Sequence, residues 1–364
     1  MERRHFLLAG SSLLSLYLAG CGGGDDAPQT QPTPDLGPSP VLQRRNVTSL
    51  STLERQQFIN TLMTMKKSAS SYDSSTNAYD YFVNIHVEAF SDHKNAHMSA
   101  SFLPWHREML MRFEKEMRKA SGDNSMTLPY WDWHQPQSHT KIFTDDFLGG
   151  NGDPLDKRLV KNGAFRVGQW NMAKTFDETP DEFADTDADG TDDADTSALS
   201  PLGLTRNYSF QGVAQSDLTF LDDYMSDNPL QALLDIPDYD TAPYMDSMMS
   251  ATARVQNFAA WNTTSMRKHL ERILHNTVHA CMGGQMGTGS SPNDPAFFLH
   301  HCNVDRLWAL WQEKFANAGY PTSEQSSMTG AESALDIYAE KIVIKDTFDL
   351  QKHSGVTYKT TAAS

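Results

Sequence analysis

The chain has 364 residues, enough for one large domain with a proper core, and a second domain is not required. Its formal net charge is −16 and its pI about 5.1, with no basic stripe to meet phosphates, which argues against nucleic acid as a partner. The acidic balance favours solubility and narrows function no further.

The N-terminus reads as a processing segment. Arg3-Arg4 precedes an apolar stretch from Phe6 to Ala19, shorter than the about 20 residues a membrane helix takes. The stretch ends in Leu18-Ala-Gly-Cys21, which resembles the lipobox of bacterial lipoproteins. In that class the cysteine is acylated and becomes the mature N-terminus. Arg3-Arg-His-Phe-Leu-Leu8 also resembles a twin-arginine export signal, with an incomplete consensus. The expectation is a signal peptide over 1–20, an exported chain held at a membrane through a lipid on Cys21, and a Pro- and Gly-rich tether over 21–45. Residues 46–320 are expected to form the main domain and 321–364 a C-terminal extension with little periodicity.

Leu53, Phe58, Leu62 and Met65 recur at helical spacing behind Ser51, a plausible cap. A second helix is expected over 77–90 and a third over about 104–120. In the third, Met109, Leu110 and Phe113 form the apolar side, and Arg107, Glu108, Arg112, Glu114 and Lys115 fall mostly on the other. Residues 134–226 read as loop. They contain the acidic run Asp185–Asp195, which echoes half of a calcium loop, but Thr196 stands where a bidentate Glu belongs. A solvated acidic loop is the expectation. Helices resume near 228–236, 245–260, 265–281 and 294–317.

Six histidines carry the chemistry, in two groups of three: His86, His97 and His106, then His275, His279 and His301. His275 and His279 are four residues apart, so a helix puts both on one face. A helical pair cannot complete a three-coordinate site; His301 must come from the next helix, after the chain turns at Pro292-Asn-Asp-Pro295. In the first group His86 and His106 fall on two helices and His97 on the segment between them. Three imidazoles suit a copper ion, and inward-facing ligands on helices suit a bundle. The expected class is all-α, with a four-helix bundle core holding a dicopper centre, and long loops.

The surroundings of these histidines resemble the tyrosinase family of binuclear copper proteins. Ser101-Phe-Leu-Pro-Trp-His-Arg107 is similar to its first copper signature. Leu274-His-Asn-Thr-Val-His279, Ser291-Pro-Asn-Asp-Pro-Ala-Phe297 and His300-His-Cys-Asn-Val-Asp-Arg-Leu-Trp308 are similar to its second, and Pro129-Tyr-Trp-Asp-Trp133 to a segment between them. The resemblance spans roughly residues 50–315. It implies two copper ions on the six histidines, with O2 and a phenol as reactants, and it selects His301 rather than His300 from the doublet. A copper chaperone is a candidate partner for loading.

The resemblance also implies further roles. Phe297 is placed against ligand rings, Asp305 is a candidate acceptor for a ligand N–H, and Thr288 is placed at the substrate entry, with the small Ala280 beside His279. Glu271 and Asn276 match a pair proposed to hold a water that takes the phenol proton. Some family members crosslink a cysteine to the second histidine of the first site; Asn95 stands there, so that bond is not expected. Cys281 and Cys302 are expected as buried thiols, with a disulfide as the other reading. The last fifty residues look too few for the shielding domain of many eukaryotic members. Three activities remain open: a tyrosinase acting on monophenols and o-diphenols, a catechol or o-aminophenol oxidase without monophenolase activity, or a haemocyanin-like O2 carrier.

Overall fold

Ser51 starts the first helix as its sequence suggests. Its hydroxyl accepts from the Glu54 backbone N–H while the Glu54 carboxylate accepts from Ser51 N, a reciprocal cap. The computed structural model describes residues 41–91, 95–173, 203–245, 264–336 and 338–359. All belong to one unit, Val41–Ser364. The expected signal and tether up to residue 40, the acidic run 185–195 and most of the helix expected over 245–260 lie outside the described residues.

Helix α1 (Thr52–Met65) buries Phe58, Ile59, Leu62 and Met65, whereas Leu53, expected on the same stripe, is 68 % exposed. Helices α2 (Asp80–Ser91) and α3 (Phe102–Ser121) follow. Gly122, at φ +70°, ends α3 with its N–H on the Arg118 carbonyl. Two short helices, α4 (Thr219–Asp227) and α5 (Leu230–Leu234), come next; α4 falls where the sequence reads as loop. The helix expected over 265–281 is interrupted. It runs as α6 (Met266–His269), a π turn (Leu270–His275) and α7 (Asn276–Met282). Such turns recur at functional sites because they re-aim side chains within a helix. Helix α8 (Ala296–Phe315) is the last long one, and α9 (Leu350–Ser354) is short. Helices α2, α3, α6–α7 and α8 supply the bundle, and strands are few, so the chain is all-α.

Two expected boundaries move, and the charged side of α3 proves to be buried. The charged face of α3 is not solvated: Arg107, Glu108, Arg112 and Glu114 are all buried. They are tolerated because each is paired. Arg107 meets Asp305, Arg112 meets Glu108, and Glu114 takes two hydrogen bonds from Arg44. The boundary of the tether also moves. Residues 42–44 form β1 (Leu42–Arg44), which pairs in parallel with β4 (Val356–Tyr358), in the register Leu42↔Val356. Residues 321–359 are therefore no appendage. Tyr338 donates to the Trp105 carbonyl, and the Thr347 and Phe348 carbonyls accept from Arg107. A second ladder, β2 (Ser209–Phe210) with β3 (Val213–Ala214), is a small antiparallel hairpin.

A candidate dicopper centre

Four helices and one loop deliver the six histidines. His86 comes from α2, His106 from the first turns of α3, and His97 from the segment between them. His275 ends the π turn, His279 lies on α7, and His301 on α8. All six are largely buried, and burial, with mutual repulsion among most of the rings, lowers their pKa values: to about 3 for His86, about 4 for His279 and well below the usual range for the others. The rings are therefore neutral at physiological pH, the form that offers a lone pair to a metal.

In the second triad the ligand atoms converge. His301 Nε2 is 3.1 Å from His275 Nε2 and 3.3 Å from His279 Nε2. Imidazole nitrogens about 2.0–2.1 Å from one ion at tetrahedral angles would sit ~3.3 Å apart, so the spacing fits a single metal. In the first triad one ring nitrogen from each of His86, His97 and His106 lies within 4.8 Å of the others. His86 and His106 point Nδ1 at the carbonyls of Gly289 and Phe102, at 2.7 and 2.9 Å, and leave Nε2 buried without a partner. A neutral ring that donates from Nδ1 keeps its Nε2 lone pair open to an ion. Both triads thus fit copper, which takes imidazole well.

Second contacts fix the tautomers. His275 Nδ1 lies 2.8 Å from Asn276 Oδ1, and His279 Nδ1 lies 2.6 Å from the Met286 carbonyl. His300 also approaches the second triad. Its Nδ1 accepts the Trp133 indole N–H at 3.1 Å, so its proton sits on Nε2 and no lone pair is free for a metal. That hydrogen bond separates His300 from His301 on physical grounds.

Phe297 is fully buried between the triads, with ring centroids 4.1 Å from His301, 5.0 Å from His86 and 6.0 Å from His279. The expectation for Asp305 fails. Its carboxylate accepts from Arg44 Nη1 at 2.8 Å, Arg107 Nε at 2.6 Å and the Tyr358 hydroxyl at 2.6 Å, and from no histidine. His301 Nδ1 has no hydrogen-bond partner among the described residues. Asp305 lies one turn after His301, but on α8 it faces the buried arginines. Burial raises its pKa; Arg107 and Arg44 outweigh that and hold it below the usual carboxylate range. Cys281 and Cys302 are both free and buried.

A cavity of about 270 Å³ opens over both triads, lined in part by His86, His97, His275 and His279. Glu271, Asn276, Ala280 and Thr288 line it too, as do Phe90, Met98 and Met286. Glu271 is buried, its Oε2 pairs with Arg267 at 2.9 Å and its Oε1 accepts the Met98 backbone N–H. Burial pushes its carboxyl up to about 7 against the opposing pull of Arg267. Asn276 is exposed to the cavity side of the helix end, with its oxygen engaged by His275. Met98 at φ +54° and the Met286 and Gly289 carbonyls are contributors that sequence patterns do not reveal.

The family described as the common central domain of tyrosinase matches residues 76–314, a span that contains all six histidines. A tyrosinase of Streptomyces glaucescens is 32 % identical over 286 residues, covering 76 % of this chain and 85 % of that one. Grixazone synthase of Streptomyces griseus is 30 % identical over 295 residues, covering 75 % and 85 %. Among solved structures, a polyphenol oxidase from Thermothelomyces thermophila superposes with a TM-score of 0.59 at 22 % identity, over 87 % of this chain and 88 % of that one. A deoxygenated haemocyanin from Rapana thomasiana gives 0.52 at 20 % identity, over 88 % and 70 %. The chain belongs to the tyrosinase family of type 3 dicopper proteins.

Proposed function

We propose that this dicopper protein, an oxidase of phenols, converts o-diphenols to o-quinones and hydroxylates monophenols at the ortho carbon. The observation that carries the reading is the shared cavity. Two imidazole triads open onto one space, so a phenol entering it reaches both metals. His86, His97 and His106 would hold one copper, and His275, His279 and His301 the other. Copper at these positions supplies O2 binding and the two-electron change that phenol oxidation requires.

The protein's own share is access, orientation and the proton. The walls of Phe90, Met98 and Met286 suit an aromatic ring. Thr288 lines the cavity with its hydroxyl tied to the Gln285 carbonyl at 3.0 Å, which supports its proposed part in substrate entry. The phenol hydroxyl must lose its proton to bind as phenolate. Asn276 and Glu271 both face the cavity and would hold a water that receives it. Asn276 can do so through its amide nitrogen, which makes no hydrogen bond within the described residues.

A specific observation favours a second reading, an o-diphenol or o-aminophenol oxidase without monophenolase activity. Both Glu271 oxygens are already engaged, by Arg267 and by Met98. With both oxygens taken, little of the carboxylate is left to hold a water, even though burial keeps its pKa raised to about 7. Copper-loaded protein supplied with L-tyrosine, L-DOPA and o-aminophenol separates the readings. Quinone formation from tyrosine without a lag-ending diphenol primer supports monophenolase activity; oxidation of the latter two alone supports the second reading. Oxygen binding with turnover of none would leave an O2 carrier.

The leader supports a further proposal: export and anchoring through a lipid on Cys21, carried by Leu18-Ala-Gly-Cys21 and Arg3-Arg4. Metabolic labelling with a tritiated fatty acid tests it, and label surviving in a Cys21→Ser chain would refute it. Loading by a copper chaperone would fit this route.

A further inference from the structure

The ligands of each triad are held in place by elements that belong to the other. The clearest case is the segment after α7. Its Met286 carbonyl lies 2.6 Å from Nδ1 of His279, in the second triad, and its Gly289 carbonyl lies 2.7 Å from Nδ1 of His86, in the first. Two residues of one chain segment, three positions apart, thus orient a ring on each side. The segment is tied together by side chains: Ser290 Oγ donates to Gln285 Oε1 at 3.0 Å and meets Thr288 Oγ1 at 2.9 Å. Gly289 is packed closely on Phe90, since an added Cβ would lie 2.7 Å from that ring.

The second link runs through Glu271. This residue sits one turn before His275 in the π turn, and it accepts the backbone N–H of Met98, the neighbour of His97. The first-triad loop is therefore tied to the second-triad helix. The third link is ring on ring. His106 and His301 stack at 4.3 Å with 15° between their planes. Phe102 gives its carbonyl to His106 while its ring packs 4.9 Å from His275.

We propose that this interlocking couples the two metal sites, so that filling either triad with copper orders the ligands of the other and the two coppers load cooperatively. The proposal rests on the six-histidine reading. An ion in the second triad fixes His275 and His279. Through Met286–Gly289 and Glu271 that same event fixes the acceptor for His86 and the loop of His97. The second ion then meets ligands already in place, and its binding loses less conformational freedom. By linkage the effect is equal in both directions. Glu271 and Ser290 act here as positioning residues, apart from any contact with substrate.

Full-length protein stripped with a chelator, then titrated anaerobically with Cu(I) against a competing chelator, provides the test. Native mass spectrometry reads the populations with zero, one and two coppers. Equal uncoupled sites would leave about half of the molecules with one copper at half-loading. Coupling of 5- to 150-fold leaves roughly a third or fewer. The wild type is expected in the second range. Glu271→Ala, which removes the acceptor for Met98 N–H, should raise the one-copper population, whereas Glu271→Gln, which keeps an acceptor oxygen, should stay near wild type. Ser290→Ala provides a milder variant that leaves all ligands and carbonyls in place, and it too should raise that population. Two coppers bound with half or more of the chains singly loaded at the midpoint would overturn the coupling alone. Failure to bind two coppers at all would overturn the six-histidine reading and the coupling with it.

Discussion

Asp305→Asn separates a structural role from a metal-site role. In the structure its carboxylate joins three distant parts of the chain: Arg44 on β1, Arg107 on α3 and Tyr358 on β4. Breaking a buried ion pair by removing one partner costs about 3–5 kcal/mol. The lower end applies here. Arg44 keeps both hydrogen bonds to Glu114, and Arg107 keeps Gln312 and the Thr347 and Phe348 carbonyls. For a domain this large the loss corresponds to a melting temperature lower by about 6 °C, at ~2 °C per kcal/mol. The effect depends on pH. A carboxyl held below its ordinary pKa stabilises the fold fully above the unfolded value of about 3.9, and that stabilisation is lost as pH falls through the lower folded value. The gap between wild type and variant should therefore be full at neutral pH and close in strong acid. Urea unfolding across pH, with copper content measured on the same samples, is the assay. Unchanged stability together with loss of one copper would refute the reasoning and restore Asp305 as a ligand-orienting residue.

Three other outcomes follow from the geometry. His301→Ala should hold no more than one copper per chain, whereas His300→Ala should still hold two, because the His300 Nδ1 is taken by Trp133; metal analysis of both variants decides it, and equal losses would contradict the assignment. Asn276→Ala should lower monophenol turnover more than diphenol turnover, by about 100-fold or more as for other groups that serve proton transfer, and equal losses on both substrates would remove its proposed part in taking the phenol proton. Burial pushes the thiols of Cys281 and Cys302 up to about 12, so a water-soluble thiol reagent should label neither in the folded protein at mildly alkaline pH; label mapped to either residue before denaturation would show that the core is more open than described.

The parts of this protein that sequence reveals are those whose physics is local. His275 and His279 share a helix face because of their spacing, Ser51 and Glu54 cap one another across three residues, and the bundle follows from where the triads must meet. The parts that stay hidden depend on distant partners. Arg107 and Glu114 look like a solvated helix face until Asp305 and Arg44 arrive from far along the chain. The stretch after residue 320 has no periodicity because it packs through turns and one strand against β1, not through a helix face. Asp305 has the spacing of a residue beside His301, but side-chain direction rather than spacing decides what it meets. The π turn is equally silent in the sequence, since Leu270–His275 has the composition of an ordinary helix. The Met286 and Gly289 carbonyls belong to the backbone, and no side-chain pattern announces them.

The central claim is that two coppers sit in two separate imidazole triads facing one cavity. Anomalous diffraction from crystals of the copper-loaded protein, recorded on either side of the copper absorption edge, tests it most directly. The account predicts two peaks, one among His86, His97 and His106 and the other among His275, His279 and His301. A single peak, or a peak held by His300 in place of His301, would contradict it.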